Sequence, residues 1–343
     1  MSGQAPRENI QLAVLDSVLY GAGSALDYLD VRGQTMFDRI GQGILEYCVK
    51  TGLVEKSSDP QQMAARTCNF FVENGYIGGF KFGQEGELST IRFDDWRYLG
   101  LMRKLRNEDN YLLACPLCIA ANSFFRSNGV FPQTVSEELT PDGSFLRKFK
   151  VIPATFDSPP EALVPPRRGD LSSVKYDGTL KVGLPIFEAV EYGLARGFGF
   201  LGAQAQLLLD NVGRGILDFL QEEGGLTLTG NQVKDLELIS SFFKSGGLAD
   251  EIQVTLSSPE ARAVFKNYCY EPVLRMLLDE GLQLVSCPFT LAARAVLRNA
   301  GWAVGEMKWT LSGDKACTLT MSLLRVADQQ FDEEKIGAIM DEV

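Results

Sequence analysis

Two cysteines in the segment Cys115-Pro116-Leu117-Cys118 have the spacing of a redox-active pair. Thiols separated by two residues at the start of a helix can cycle between a dithiol and a disulfide. The chain repeats this segment, but there Thr290 follows Cys287 in place of the second cysteine, and the sequence has no other Cys-x-x-Cys pair. The pattern favours buried structural thiols, and a thiol oxidoreductase acting through Cys115 and Cys118 stays an alternative.

Histidine is absent from all 343 residues. Its absence removes the commonest general base, a frequent zinc ligand and the usual partner of a serine or cysteine nucleophile. No cysteine quartet replaces it as a metal site. We therefore name no catalytic residue and no metal ligand, and favour a protein that is not an enzyme.

Charge and cysteine content indicate the surroundings of the protein. The chain carries 33 Lys and Arg against 44 Asp and Glu, a net charge of −11, which would repel nucleic acid. The seven cysteines show no disulfide framework, and the polar start carries no apolar signal segment. We expect a cytoplasmic protein without nucleic acid partners and without a transmembrane segment.

The chain is a tandem repeat with a constant offset of 172 residues. Residues 20–46 recur as residues 192–218 without a gap, so that Tyr20 corresponds to Tyr192 and Gly43 to Gly215. A period of this length is a whole domain rather than a solenoid unit. We predict repeat 1 at residues 10–153, a proline-rich linker at 154–181, repeat 2 at 182–325 and an acidic tail at 326–343.

Each repeat is predicted to contain three helices, a β-hairpin, a short helix, a helix after a Cys-Pro step and a closing hairpin. This order gives an α/β (α+β) fold in which a helical layer packs on a small antiparallel sheet. Arg126 and Arg298 fall at equivalent helix ends, where a cation interacts favourably with the helix dipole. In repeat 1 the helices are predicted at 12–31, 34–49, 61–74, 97–106 and 116–128, and the strands at 77–82, 87–93, 130–138 and 145–152.

Two glycines lie inside the second helix of each repeat, Gly41 and Gly43 in the first and Gly213 and Gly215 in the second. Each costs about 1 kcal/mol relative to alanine in a helix interior. A phosphate-binding loop would need a preceding strand, which the sequence does not predict. The glycines therefore predict close approach of another backbone.

The order of elements and several motifs resemble two related families. The second repeat is similar to the vinyl-reductase-type domain, in which Cys287-Pro288-Phe289, Glu306, Gly313-Asp314 and Cys317 stand at the family's positions. The first repeat resembles the small subunits of the transport protein particle, a vesicle-tethering complex, through YLDVRGQTMFDRIGQGILEYCV and GVFPQTVSEELTPDGSFLRKFKVI. These families share one fold. Their members bind hydrophobic small molecules or act as dimerising scaffolds.

The resemblance implies a non-enzymatic binding or assembly-adaptor protein that holds a hydrophobic small molecule, with a tetrapyrrole, a lipid or a hydrocarbon as the candidates. It also implies an intramolecular pseudo-dimer that binds protein partners. The alternative is a scaffold subunit of a tethering-type or photosynthetic assembly complex. The residues that we expect to contact the ligand are two phenylalanine pairs and two cysteines: Phe70, Phe71, Cys115, Phe242, Phe243 and Cys287.

Overall fold

A computed structural model describes residues 8–27, 31–110, 114–153, 167–168, 170–199, 201, 205–282, 286–312 and 316–325. It combines helices with antiparallel sheets in two halves, which confirms the predicted fold class. Within these residues no helix is long and apolar enough to cross a membrane.

The described residues of the first half form five helices and a sheet with the strand order β2-β3-β5-β4-β6. All neighbouring strands of this sheet are antiparallel except the short β6, which is parallel to β4. The elements are β1 (Asn9–Gln11), α1 (Leu12–Asp27), α2 (Val31–Lys50), α3 (Pro60–Glu73), β2 (Gly79–Glu85), β3 (Leu88–Asp94), α4 (Leu99–Asn107), α5 (Pro116–Ser127), β4 (Val130–Leu139), β5 (Phe145–Pro153) and β6 (Arg167–Arg168).

The second half repeats this order around an antiparallel sheet with the strand order β8-β9-β11-β10. Its elements are β7 (Lys181–Gly183), α6 (Leu184–Gly199), α7 (Ala205–Glu222), α8 (Gln232–Ser245), β8 (Glu251–Ser257), β9 (Glu260–Lys266), α9 (Glu271–Asp279), α10 (Pro288–Asn299), β10 (Trp302–Ser312) and β11 (Ala316–Arg325).

The two sheets have the same strand register when residue numbers are shifted by 172, except at the bulge of the closing hairpin. Ile91 lies opposite Arg147 in the first half, and the equivalent Ala263 lies opposite Leu319 in the second. The helix starts are equivalent too: the side chain of Asp59 caps α3, and that of Asn231, at the same repeat position, caps α8. The sequence repeat is therefore a repeat of structure down to single residue pairs.

The first strands of the halves pair with each other. In this antiparallel pair of β1 and β7, Ile10 lies opposite its own repeat equivalent, Val182. On either side the same hydrogen bond occurs twice, with the Leu12 amide donating to the Leu180 carbonyl at 2.7 Å and the Leu184 amide donating to the Glu8 carbonyl at 2.9 Å. A local two-fold axis therefore passes between β1 and β7.

Helices of one half pack on helices of the other, α1 against α7 and α2 against α6. A Cβ atom on Gly43 would lie 2.7 Å from the Cα atom of Gly193, and one on Gly215 would lie 2.9 Å from the Cα atom of Gly21. Distances this short exclude a larger side chain unless a backbone moves. The predicted close approach of another backbone is confirmed at Gly43 and Gly215.

The other two helix glycines face a helix of their own half. A Cβ atom on Gly41 would collide with the backbone carbonyl of Ile119 in α5, and one on Gly213 with that of Leu291 in α10. The same prediction is therefore confirmed at these positions as well. Together the four glycines bring α2 and α7 close to both neighbouring helices.

Several residues in the second part of the predicted linker, 154–181, pair with or pack on the rest of the protein. Leu171 is buried, and Tyr176 packs edge to face on Phe219 with 5.7 Å between ring centroids. Arg167 and Arg168 extend the first sheet by pairing with β4. The prolines of 154–166 dominate the composition from which the linker was predicted, whereas Leu171 joins the core and Tyr176 packs against it. Residues 154–166, the tail 326–343 and the Gly313-Asp314 turn lie outside the described residues.

Candidate functional site

An apolar cleft lies in the first half between the helices α3 and α5 and one face of the sheet. Its volume is about 50 Å³. Phe82, which is 48% exposed, stands among the lining residues, so the cleft reaches the surface beside it. The lining residues are Ala64, Cys68, Phe82, Ile91, Phe93, Leu117, Cys118, Ala121, Asn122, Phe125, Pro132, Arg147 and Phe149.

Regular periodicity places these side chains together. The α5 contributors recur at helical spacing, as Leu117, Ala121 and Phe125 show, and therefore share one helix face. On the sheet, Phe82 lies opposite Ile91, which in turn lies opposite Arg147, so the three form a row across β2, β3 and β5. The cleft is thus the seam between one helix face and one sheet face.

Two thiols line the cleft. Burial raises the pKa of Cys68 to about 12, so this thiol is protonated. The pKa of Cys118 is instead lowered, first by a hydrogen bond with Cys115 and then by the positive charge of Arg147. Cys115 is completely buried, and burial raises its pKa well above the ordinary value. Of the pair that the sequence singles out, only Cys118 is presented to the cleft.

Arg147 brings a charge into this apolar lining. Its Nε atom donates a hydrogen bond to Thr134 Oγ1 at 2.9 Å and lies 3.4 Å from Glu137 Oε1. The Nη2 atom of Arg106 donates to the other carboxylate oxygen of Glu137. We call Arg106, Glu137 and Arg147 the arginine triad. It contains two cations and one anion, so it carries a net positive charge.

The equivalent region of the second half has larger or apolar side chains. Leu117 is replaced by Phe289, Asn122 by Arg294 and Arg147 by Leu319, and these replacements are at least 98% buried. Arg294 extends to Asp210, to which its Nη2 atom donates at 2.8 Å. At these lining positions the second half therefore has larger side chains at Phe289 and Arg294, and smaller ones elsewhere, for example Val254 for Phe82 and Ala263 for Ile91.

Of the six residues predicted to contact a ligand, Phe70, Phe71 and Cys115 lie in the first half, which has the cleft, and the other three lie in the second half. Five of the six, all except the half-buried Phe242, are buried. The rings of each phenylalanine pair meet edge to face, with centroids 5.2 Å apart in one pair and 5.4 Å in the other. The two cysteines occupy the positions just before α5 and α10. The lining, as far as the described residues define it, includes none of these six: Phe70, Phe71, Cys115, Phe242, Phe243 and Cys287.

Sequence reasoning did not identify Cys68, Cys118 and Arg147 as lining residues. A usable signal was the difference between the repeats, because Arg147 corresponds to Leu319 and Asn122 to Arg294 within an otherwise matching register. A charged residue that replaces a core leucine at an equivalent position indicates a local change of role.

The arginines predicted to interact with the helix dipole have specific partners as well. Arg126 pairs with Asp38 of α2 (3.0 Å), and Arg298 pairs with the equivalent Asp210 of α7. Burial raises the pKa of Asp38 to about 6, and the charge of Arg126 counteracts that rise. These pairs tie the same two helices together in each half.

The second half has a buried carboxyl group at a position that is apolar in the first half. Glu191 of α6 is fully buried where the first repeat has Leu19, and burial raises its pKa to about 8. Its backbone carbonyl accepts a hydrogen bond from Ser286 Oγ at 3.2 Å, next to Cys287. At neutral pH this side chain is therefore mostly protonated and uncharged.

In the described part of the chain, no group of three or more Cys, Asp or Glu side chains is arranged to hold a metal ion. Comparison with protein-family models, with curated proteins and with solved structures finds no match. The cleft and its charge are therefore the observations from which a function has to be argued.

Proposed function

We propose that this chain is a non-enzymatic binding or assembly-adaptor protein whose first half holds a hydrophobic small molecule in the cleft between α5 and the sheet. The observation that carries the proposal is the apolar cleft itself, which lies between one face of α5 and one face of the sheet and reaches the surface beside Phe82. The resemblance to domains that bind hydrophobic molecules supports it. In this proposal the two repeats form an intramolecular pseudo-dimer, in which the first repeat binds the ligand and the second stabilises the first.

The size of the cleft favours a narrow ligand. Sites for drug-sized molecules typically enclose roughly 300–1,000 Å³, whereas this cleft has about 50 Å³. An acyl chain or a small ring can enter such a space in part and continue along the open side near Phe82. A lipid or hydrocarbon therefore fits the cleft better than a tetrapyrrole.

Native mass spectrometry of the full chain tests the proposal. We expect a bound mass that is lost on organic extraction, and 1:1 binding when the extracted protein is titrated with octanol. Ala121→Leu adds a larger side chain to the lining and should abolish binding. Ser127→Leu adds the same residue at an exposed position near the end of α5 and should leave binding unchanged.

Failure of octanol to bind, or equal binding to the Ala121→Leu variant, would contradict this proposal. Thermal unfolding of both variants is the control for folding, because a variant that melts like the wild type has kept its core. If both variants melt like the wild type, a difference in octanol binding between them reports on the space in the cleft.

A scaffold role is the second candidate. Besides Phe82 at the cleft, the first sheet exposes Val135 on β4 and Val151 on β5, at 42% and 47%. Exposed apolar groups can mark a protein-binding surface. A stoichiometric partner that is recovered with the wild type and lost with Val135→Lys and Val151→Lys, together with no bound small molecule, would favour the scaffold over the carrier.

The thiol oxidoreductase is less well supported. Cys115 is fully buried and its thiol is protonated, so it offers no accessible nucleophile to a substrate disulfide. The test is whether Cys118→Ser changes thiol-disulfide exchange by the purified protein.

A further inference from the structure

We propose that the ligand of the cleft is an anionic amphiphile whose carboxylate head is held by Arg147 and whose apolar chain lies against α5. This inference rests on the proposed function and specifies the chemical class of its ligand. The arginine triad adjoins the cleft, because Arg147 belongs both to the triad and to the cleft lining.

The triad has spare hydrogen-bonding capacity. Glu137, 4% exposed, already accepts from Arg106 and lies within ion-pair distance of Arg147. The Nη1 atom of Arg106 is buried without a hydrogen-bond partner among the described residues. Among those residues Arg147 donates only from Nε, to Thr134, so both of its terminal nitrogens are available. A guanidinium with two free terminal donors matches a carboxylate or another planar anion in geometry.

The charge balance agrees with this geometry. Two arginines face one glutamate, so an added anion would bring the cluster to neutrality. The field of Arg147 reaches into the cleft, since it contributes to lowering the pKa of Cys118 after the hydrogen bond from Cys115. An anionic head therefore finds a positive potential at the side of an otherwise apolar space.

The second half lacks this charged cluster. The three triad positions there hold Leu278, Trp309 and Leu319, all of them apolar. Trp309 packs on Phe265 with 5.6 Å between ring centroids. The triad thus occurs in the half that has the cleft, as expected if cleft and cations serve one ligand.

The experiment compares octanoate with octanol on the full chain at pH 8 by isothermal titration calorimetry. The probes share their chain and differ in the charge of the head, because octanoate is fully ionised at this pH. We expect octanoate to bind about 10- to 100-fold more tightly, the range for a hydrogen bond to a charged group. Equal affinity of the two probes would overturn the proposal while leaving the proposed function intact. If neither binds, the proposed function fails as well.

Arg147→Leu installs the residue of the second half. We expect it to remove the preference for octanoate and to leave octanol binding within about twofold, because Arg106 still neutralises Glu137. Arg147→Lys keeps the charge without the planar donors and should restore part of the preference. An unchanged preference in Arg147→Leu would place the anion elsewhere and overturn the assignment. If Arg147→Leu does not fold, the wild-type comparison and Arg147→Lys still decide the question.

Discussion

Replacing Glu191 with glutamine should change how the stability of the protein depends on pH. The side chain is fully buried and its pKa in the folded protein is about 8, raised by burial. In the unfolded chain a glutamate titrates near its ordinary value of roughly 4.3. Between these two values the folded state retains a proton that the unfolded state has released.

The sign follows from proton linkage. Because the folded state binds more protons, the free energy of unfolding falls as pH rises through this window. Nearly four pKa units at about 1.4 kcal/mol each give an upper figure of about 5 kcal/mol by pH 9. Glutamine cannot ionise, so the variant lacks this contribution. Relative to wild type, Glu191→Gln should therefore gain about 3–5 kcal/mol of stability between pH 5 and pH 9.

Urea unfolding at pH 5, 7 and 9 measures this difference. Glu191→Leu, which installs the residue of the first repeat, should show the same pH trend, and Glu237→Gln makes the same substitution at an exposed position as a control. The comparison with wild type at each pH cancels the titration of other groups. A stability difference between Glu191→Gln and wild type that does not change with pH would refute the reasoning.

Three further predictions concern the helix contact, the cleft and the segment before repeat 2. Gly43→Ala should destabilise the protein by about 1–3 kcal/mol through overpacking, whereas Gly23→Ala, whose Cβ would meet side chains and no backbone, with Leu105 nearest at 3.3 Å, should be nearly neutral in the same urea titration. Octanol should slow maleimide labelling of Cys118 but not of Cys269, as measured by peptide mass spectrometry; equal protection would argue against occupancy of the cleft. Tyr176→Ala should cost about 3 kcal/mol in chemical denaturation, and a loss below about 0.5 kcal/mol would mean that this segment is a mere linker.

The sequence predicted most elements because local periodicity and capping agree with the tertiary structure. Because the repeat offset is constant, each element predicted in one half was also predicted at the equivalent position of the other. Glycines inside a helix predicted a close backbone contact without identifying the partner. Gly43 is the clearest case, since the cost of a helical glycine needs compensation and Gly193 supplies it across the contact between halves.

The cleft could not be predicted in the same way. Phe70 and Cys115 are apolar residues in strong motifs, and such residues are as suitable for a core as for a ligand site. Whether a cleft remains between α5 and the sheet depends on how well their side chains fill the space between them. No single sequence motif predicts this. The sequence difference that could have indicated the cleft is Arg147 in the first repeat against Leu319 in the second. The strand register of the two sheets is needed to establish that these positions are equivalent.

The central claim is that the first half, and not the second, receives an apolar chain between α5 and the sheet. Crystals of the protein grown with 8-bromooctanoate test it most directly, because the anomalous signal of bromine locates the chain end without reference to side-chain density. The account predicts one bromine peak in or at the mouth of the first-half cleft, with the carboxylate at Arg147. A peak beside Arg294 in the second half, or one between the halves, would contradict it.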